Sequence, residues 1–227
     1  MTSSTVLTEP AWRTLVDDGG GGGRPFGVLD VGSRKLCCYI ARRETTGAFE
    51  LLGAGHQAAD GFSGGEVVDA AAAEAAVRAV VDEAERQAGE RLDQMTLVFA
   101  GAEPASGYLQ VEVALDGRAV RRREIRTALG HAARHATAEG FAVVHGIPLG
   151  HRLDGGPEVR DATGMIGKRL VVRAHLVGVR ARPLAQLTSC LERCHLRTTT
   201  ALAAPYAAAV ACLERDEAER GVLVLDC

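Results

Sequence analysis

The sequence lacks several features that would assign it to a common functional class. Its 26 Lys and Arg against 29 Asp and Glu give a net charge of −3, whereas a nucleic-acid-binding domain is normally clearly basic. No apolar run approaches the roughly 18–20 residues that a membrane-spanning helix needs. The segment Met1–Asp18 lacks the basic and then apolar parts of a secretory signal. We therefore expect a cytoplasmic protein that does not bind nucleic acid.

Common nucleotide-binding and metal-binding motifs are missing too. There is no Gly-x-x-x-x-Gly-Lys-Ser/Thr loop and no Gly-x-Gly-x-x-Gly after a strand. The six cysteines lack the paired Cys/His spacing of a zinc site. Cys37 and Cys38 are adjacent, so in a strand they point to opposite faces. We expect these cysteines to be reduced core thiols, and we assign no catalytic residue.

The first half of the sequence predicts an α/β unit. Five consecutive glycines, Gly19–Gly23, mark residues 1–25 as a disordered tail. Asp69 and Gly89 are typical caps for a helix over Ala70–Ala88. Four short apolar segments predict strands, and the first three are joined by tight turns that favour an antiparallel meander. These strands are Phe26–Val31, Lys35–Arg42, Phe49–His56 and Met95–Ala100.

The pattern changes after Gly101 and predicts a small inserted unit. Its elements follow in strand–helix–strand–strand order: Tyr108–Leu115, Glu124–Thr137, Phe141–Leu149 and Leu170–Val179. We set the boundaries of the insert at residues 102–169 and assign residues 26–101 together with 170–227 to the core. The core then continues through two helices and an extended segment to a last strand, Gly221–Leu225.

One predicted turn carries residues suited to bind phosphate. Asp30 ends a buried strand, and Gly32 allows a tight turn whose N–H groups can hold an anion. Ser33 adds a hydroxyl donor and Lys35 adds a cation, while Asp30 is placed to hold magnesium through water molecules. Asp-x-Gly-Ser also occurs in ordinary hairpins, so this pattern alone leaves both interpretations open.

A second segment favours the phosphate interpretation. Gly221–Asp226 repeats the apolar strand pattern of Gly27–Asp30, and each segment ends in an aspartate. Two such strands, each followed by a small-residue turn, are typical of the two halves of an actin-type nucleotide site. The predicted nucleotide contacts are Asp30, Gly32, Ser33, Arg34, Lys35 and Asp226. Asp30 and Asp226 are the predicted magnesium pair.

Several motifs together resemble the bacterial cell division protein family FtsA, over about Phe26–Cys227. Gly27–Lys35 is similar to that family's first phosphate loop, with Ser33 where Thr is usual. Further agreements, in the family's order, are Gly64–Asp69, Val144–Pro148, Cys190–His195 and Ala204–Ala208. The last two resemble the alphaproteobacterial branch. Ala162 departs from a proline that the family usually has.

The resemblance implies an actin-like, ribonuclease H-like first lobe with an inserted subdomain. It implies ATP and Mg²⁺ as ligands, nucleotide-regulated polymerisation and at most a weak ATPase activity. The implied role is to link FtsZ filaments to the inner membrane at the division site and to help assemble the septal machinery. Self-association and contacts with later division proteins are expected through the insert.

The resemblance also implies that the family continues beyond Asp226. A Gly-Gly-Gly-Thr second phosphate loop, a second lobe and a C-terminal membrane helix would follow there. We therefore expect a truncated form that lacks half of the ATP site, binds nucleotide poorly and is inactive. Two alternatives stay open: another actin-like interaction protein such as the pilus assembly protein PilM, or a sugar-kinase-like enzyme, for which the first lobe shows no candidate catalytic Asp.

Overall fold

The computed structural model describes residues 23–137 and 140–225. The described residues form two compact units, residues 23–102 with 182–225, and residues 103–181 without 138 and 139. The strands are β1 (Phe26–Val31), β2 (Lys35–Arg43), β3 (Phe49–Ala58), β4 (Phe62–Ser63), β5 (Glu66–Val67), β6 (Gln94–Phe99), β7 (Ala105–Ala114), β8 (Phe141–Leu153), β9 (Glu158–Val159), β10 (Arg169–Arg180) and β11 (Arg197–Ala203). The helices are α1 (Ala70–Ala88), α2 (Arg122–Thr137), α3 (Ala181–Arg193), α4 (Ala204–Cys212) and α5 (Arg215–Arg220). Most of the predicted tail, residues 1–22, lies outside the described residues.

The first unit is built on a five-stranded mixed sheet in the order β11-β6-β1-β2-β3. The predicted meander is confirmed, because β1, β2 and β3 pair antiparallel in succession. β6 and β11 add parallel strands on the other side of β1. Alternate residues of β1 and β6 are buried, as expected for strands with one fully covered face. β1 therefore lies at the centre of the sheet, and its last residues lie in the middle of the row of strand ends.

Helix α1 covers β3 through direct contact of the two backbones. Asp69 caps the helix by accepting hydrogen bonds from the N–H groups of Ala71 and Ala72, at 3.0 and 3.1 Å. A Cβ atom on Gly53 would lie 2.2 Å from the carbonyl oxygen of Ala84. One on Gly55 would lie 2.1 Å from the carbonyl oxygen of Val80. Glycine is required at both positions because the helix leaves no space for a side chain.

Ion pairs and hydrogen bonds join α1 to α3 in the first unit. Glu74 of α1 forms an ion pair with Arg193 and a second one with Arg78, at 3.2 Å. The Arg78 guanidinium also donates to the carbonyl oxygen of Arg193, at 2.9 Å. These contacts hold the pKa of the Glu74 carboxyl below its ordinary value, chiefly through the hydrogen bond from Arg193.

The second unit is a four-stranded antiparallel sheet, in the order β7-β10-β8-β9, with α2 on one face. Its core lies between the helix and the sheet. The buried members of this core are Leu115, Val120, Ala128, Leu129, Ala132, Ala162, Leu170, Val172, Ala174 and Leu176. Ala162, the departure from the family's usual proline, is fully buried in this core. The Asp154 carboxylate accepts from the N–H groups of Lys168 and Arg169, which fixes the long connection from β8 to β10.

Two predictions about the course of the chain are wrong. The order of elements placed Leu170–Val179 in the insert, whereas the boundary at residue 169 assigned it to the core; β10 lies between β7 and β8 in the second unit, so the boundary moves to about Ala181. The predicted last strand, Gly221–Leu225, is not a strand. No described strand pairs with it, and its Val222 and Leu223 side chains are exposed. An apolar segment without a neighbouring strand cannot satisfy its backbone groups in a ladder.

Candidate functional site

The predicted phosphate loop is the turn between β1 and β2. Asp30 precedes it, Val31 ends β1, and Lys35 begins β2. The N–H of Gly32 donates to the carbonyl oxygen of Lys35, at 3.1 Å, and closes the turn. The N–H of Ala59, the residue directly after β3, donates to the carbonyl oxygen of Arg34, at 3.0 Å, and also holds the turn in place. The turn is therefore held in a fixed position at the end of β1 and β2.

The structure modifies the predicted anion nest at Gly32. Since its N–H is already bonded, it is not available to a phosphate. A Cβ atom at Gly32 would lie 3.1 Å from the carbonyl oxygen of Lys35, which explains why a residue without a side chain suits this position. Within the described part of the chain, the N–H groups of Ser33 and Arg34 donate to no other group. These two groups remain as backbone donors for an anion.

The side chains of the turn also fit an anionic ligand. Ser33, Arg34 and Lys35 are all exposed. They offer one hydroxyl and two cations within three consecutive residues, which is the chemistry that a phosphate group needs. Asp30 is half-buried on the strand that leads into the turn. The other predicted contact, Asp226, lies outside the described residues, so the magnesium pair stays a prediction.

A group of polar side chains that sequence analysis missed lies beside Asp30. Cys37 of β2 lies directly opposite Asp30 of β1 on one side and directly opposite His56 of β3 on the other. The three side chains therefore share one face of the sheet. The hydroxyl of Tyr39 lies 3.4 Å from Nε2 of His56, and the two rings meet edge to face. Burial, Cys37 and Asp30 raise the pKa of Tyr39. A two-residue turn at positions 33 and 34 fixes the pairing of residues 30 and 37, so this neighbour was predictable.

Three of the five cysteines in the described residues, Cys37, Cys38 and Cys190, are buried as core thiols. Burial raises the pKa of Cys38 to about 12 and that of Cys190 to about 11. Both thiols therefore stay protonated at neutral pH, where a nucleophile or a metal ligand must be a thiolate. Cys212 differs because it is exposed. In the described residues no three His, Cys, Asp or Glu side chains are placed to hold a metal ion together.

Gly61–Gly65 spells Gly-x-Ser-x-Gly, the pattern of a serine hydrolase nucleophile. The segment forms the β4–β5 hairpin, not the strand-to-helix turn that such a nucleophile requires. A Cβ atom at Gly65 would lie 2.8 Å from the backbone nitrogen of Gly101. Gly65 therefore serves the close packing of two backbone segments. Among the helices of the described residues, none is long and apolar enough to cross a membrane.

Comparison with known proteins identifies the second unit. Residues 101–178 match the model of the SHS2 domain inserted in FtsA. The matched range nearly coincides with the second compact unit, residues 103–181, and contains nearly all of β10. This agreement supports the corrected position of β10 in the insert.

Similarity to FtsA extends over most of the chain. The chain is 34% identical over 209 residues to the cell division protein FtsA of Agrobacterium fabrum, a match that covers 88% of this chain and 47% of that protein. It is 32% identical to FtsA of Rhizobium meliloti, over the same shares. The chain thus spans about half the length of the curated relatives that it matches.

A solved structure confirms the fold. A chain of the PilM–PilN type IV pilus biogenesis complex superposes with a TM-score of 0.56 at 15% identity, over 82% of this chain and 49% of that chain. This likeness concerns the fold alone, and it agrees with the predicted α/β, actin-like lobe that carries an insert. The insert match and the identity to two FtsA proteins agree with each other. Together these findings support an FtsA-type cell division protein.

Proposed function

We propose that the protein acts in cell division as an actin-like adaptor that links FtsZ filaments to the inner membrane and helps assemble the septal machinery. The observation that carries this proposal is the match of residues 101–178 to the domain inserted in FtsA. The identity of 34% to a curated FtsA, which extends well beyond the insert, supports the same role.

The exposed turn between β1 and β2 is proposed to contact the phosphates of ATP. Its donors would be the N–H groups of Ser33 and Arg34, the Ser33 hydroxyl and the Lys35 ammonium. Asp30 would hold Mg²⁺ through water, with Asp226 as its partner. When bound, the nucleotide would act as a switch for assembly, with at most weak hydrolysis. Because one phosphate turn supplies few donors, we expect only weak binding by this chain.

A titration with a fluorescent ATP analogue and Mg²⁺ tests this site. We expect weak binding by the chain and still weaker binding by Lys35→Ala, because the variant loses a cation that faces the phosphates. Lys168→Ala, in the second unit, is the matched control and should bind as the parent does. Micromolar affinity of the parent would contradict the expected weakness, and equal binding by Lys35→Ala would contradict the site.

We further propose that the protein works at the cytoplasmic face of the inner membrane at the division site. Self-association and contacts with later division proteins would use the inserted unit, residues 103–181. A fluorescent fusion of the chain in Agrobacterium fabrum should form a band at the division site, through association with the resident FtsA. The same fusion without residues 103–181 should be diffuse. A diffuse signal from the intact chain would count against this role.

The runner-up function, a pilus assembly protein of the PilM type, has weaker support. The likeness to the PilM–PilN complex has 15% identity and concerns the fold alone. The FtsA proteins of Agrobacterium fabrum and Rhizobium meliloti share 34% and 32% identity with the chain, and the insert matches the FtsA model directly. The sugar-kinase alternative has no specific observation in its favour.

A further inference from the structure

The edge strand β7 is unusually open to pairing. It is the first strand in the order β7-β10-β8-β9, and no described strand pairs with its outer side. Its ten residues pair with β10 in an unbroken register from Ala105 to Ala114. The strand contains no proline and only one charged residue, Glu112. Proteins normally protect an edge strand with charges, prolines, bulges or short length, because its free N–H and C=O groups pair with other strands.

The other sheet edges of the described chain carry such protection. The pairing of β3 with β2 contains a register shift at Ala41, and that of β11 with β6 contains one between Thr198 and Thr200. β9 has only two residues. β7 alone combines full length with regular pairing and little charge. An edge of this kind is typical of a strand that another strand covers.

A cavity adjoins β7 at its first residues. Its volume is about 320 Å³, and its walls come from β7, the last turn of α2, and the adjacent ends of β8 and β10. Leu109, Ala136, Val143 and Leu176 make it mainly apolar. Gly107 leaves the wall open, since a Cβ atom there would meet nothing within 4 Å. An aliphatic side chain from a neighbouring strand has room to enter beside Gly107.

The sequence of β7 is complementary to itself in one antiparallel register. If Gln110 faces Gln110 of a second copy, Leu109 faces Val111 and Gly107 faces Val113. Leu109, Val111 and Val113 all pack against the core on the α2 side, so this register continues the apolar face from one copy to the next. It also brings Val113 of the second copy to the opening at Gly107. The cavity and the strand thus complement each other.

The opposite face of the sheet is complementary in the same register. Tyr108, 74% exposed, stacks on His175, and its hydroxyl-bearing edge is open to a neighbour. Glu112 of the second copy faces Tyr108, so a carboxylate meets a phenol donor rather than a like charge. The two Gln110 amides face each other and can exchange hydrogen bonds.

We propose that two copies of this chain associate through antiparallel pairing of their β7 strands, centred on Gln110. The two sheets become one continuous eight-stranded sheet with both α2 helices on the same side. This inference deepens the self-association of the proposed function and rests on the proposal that the inserted unit mediates it. No nucleotide, FtsZ or membrane takes part in the contact.

Disulfide cross-linking of the full chain tests the register. In a Cys212→Ser, Cys227→Ser background, Gln110→Cys should give a covalent dimer under mild oxidation, because directly opposite Cα atoms lie about 4.5–5.5 Å apart. Glu112→Cys is the matched control, since its two copies lie four residues apart along the strand, about 14 Å. Equal yields from the two variants, or no cross-link from Gln110→Cys, would overturn the register.

Mass measurement in solution by light scattering tests the contact itself. The parent should have twice the mass of the 23.8 kDa chain, and Gly107→Glu should be monomeric because it fills the opening with a charge. Gly107→Ala adds only a methyl group to open space and should stay dimeric. Circular dichroism checks that both variants are folded. A monomeric parent, or a folded dimeric Gly107→Glu, would overturn the β7 contact, whereas the division-site band of the fluorescent fusion is the separate test of the proposed function.

Discussion

The two units place a helix on a sheet in opposite ways. In the first, α1 lies so close to β3 that Gly53 and Gly55 meet its carbonyl oxygens. In the second, α2 is separated from its sheet by a layer of side chains and leaves a cavity of about 320 Å³ at one end. The contact between α1 and β3 has no space for an added side chain, whereas the second unit has space for a larger side chain beside its cavity. Tolerance to substitution should therefore differ sharply between the two units.

Adding one methyl group to β3 should produce the largest difference. In Gly55→Ala, the new Cβ would lie 2.1 Å from the carbonyl oxygen of Val80, so the helix or the strand must move. We expect the free energy of unfolding to fall by about 4 kcal/mol, above the roughly 1–3 kcal/mol typical of overpacking, because the new methyl group would clash with helix backbone. Urea denaturation measures it. Gly107→Ala is the matched control in the second unit and should change stability by less than about 0.5 kcal/mol.

Acid should destabilise the protein through the second unit. His145 of β8 is 2% exposed, and burial lowers its pKa to about 4 from an ordinary value of 6.5. The folded state therefore binds fewer protons than the unfolded state between these values, and stability is lost as the pH falls through this range. The loss attributable to this group reaches up to about 3 kcal/mol near pH 4.

The measurement is the difference in pH dependence between the parent and His145→Gln. Urea denaturation at pH 7 and at pH 4.5 should show a smaller loss for the variant, which has no group to protonate. Exposed His135 of α2 provides the control: His135→Gln should keep the pH dependence of the parent. If His145→Gln loses as much stability as the parent, His145 is not the group responsible.

Removing the helix cap should have a smaller effect on the first unit. In Asp69→Ala, the N–H groups of Ala71 and Ala72 lose their acceptor. We expect a loss of about 1 kcal/mol in the free energy of unfolding, because water replaces the carboxylate at an exposed helix end. Asp69→Asn retains an acceptor oxygen and should recover most of the loss. A loss as large as that of Gly55→Ala would mean that the cap has a further role.

The rate of thiol modification should distinguish the exposed cysteine from the buried ones. Cys212 is exposed, whereas Cys37, Cys38 and Cys190 are buried. In the native protein a thiol reagent should modify Cys212 rapidly and these three only after denaturation. Mass spectrometry of quenched samples identifies the modified residues. Rapid native modification of Cys38 would contradict the raised pKa and the burial of that thiol.

Local signals in the sequence predicted the elements well. Asp69, Gly89 and the apolar stripe between them located α1, and the tight turns located the meander. The position of β10 was not predictable in this way, because its alternating residues fit either sheet. Gly221–Leu225 has the composition of a strand but lacks a neighbour in the described chain. Pairing between distant segments is information that local patterns do not contain.

The candidate site was predictable to a similar extent. The exposed donors of Ser33, Arg34 and Lys35 follow from the turn alone. The engagement of the Gly32 N–H by Lys35 depends on exact backbone geometry, which residue types do not determine. The group around Cys37 and His56 follows from the strand register, once the turn length is known.

The glycine contact between α1 and β3 also has a mechanical consequence. Side chains that separate a helix from a sheet can rotate and absorb a displacement, but a helix resting on strand backbone has nothing to absorb it. We therefore expect β3 to follow a displacement of α1, and Ala59, directly after β3, is bonded to the phosphate turn at Arg34. We expect α1, β3 and the phosphate turn to move together as one rigid element.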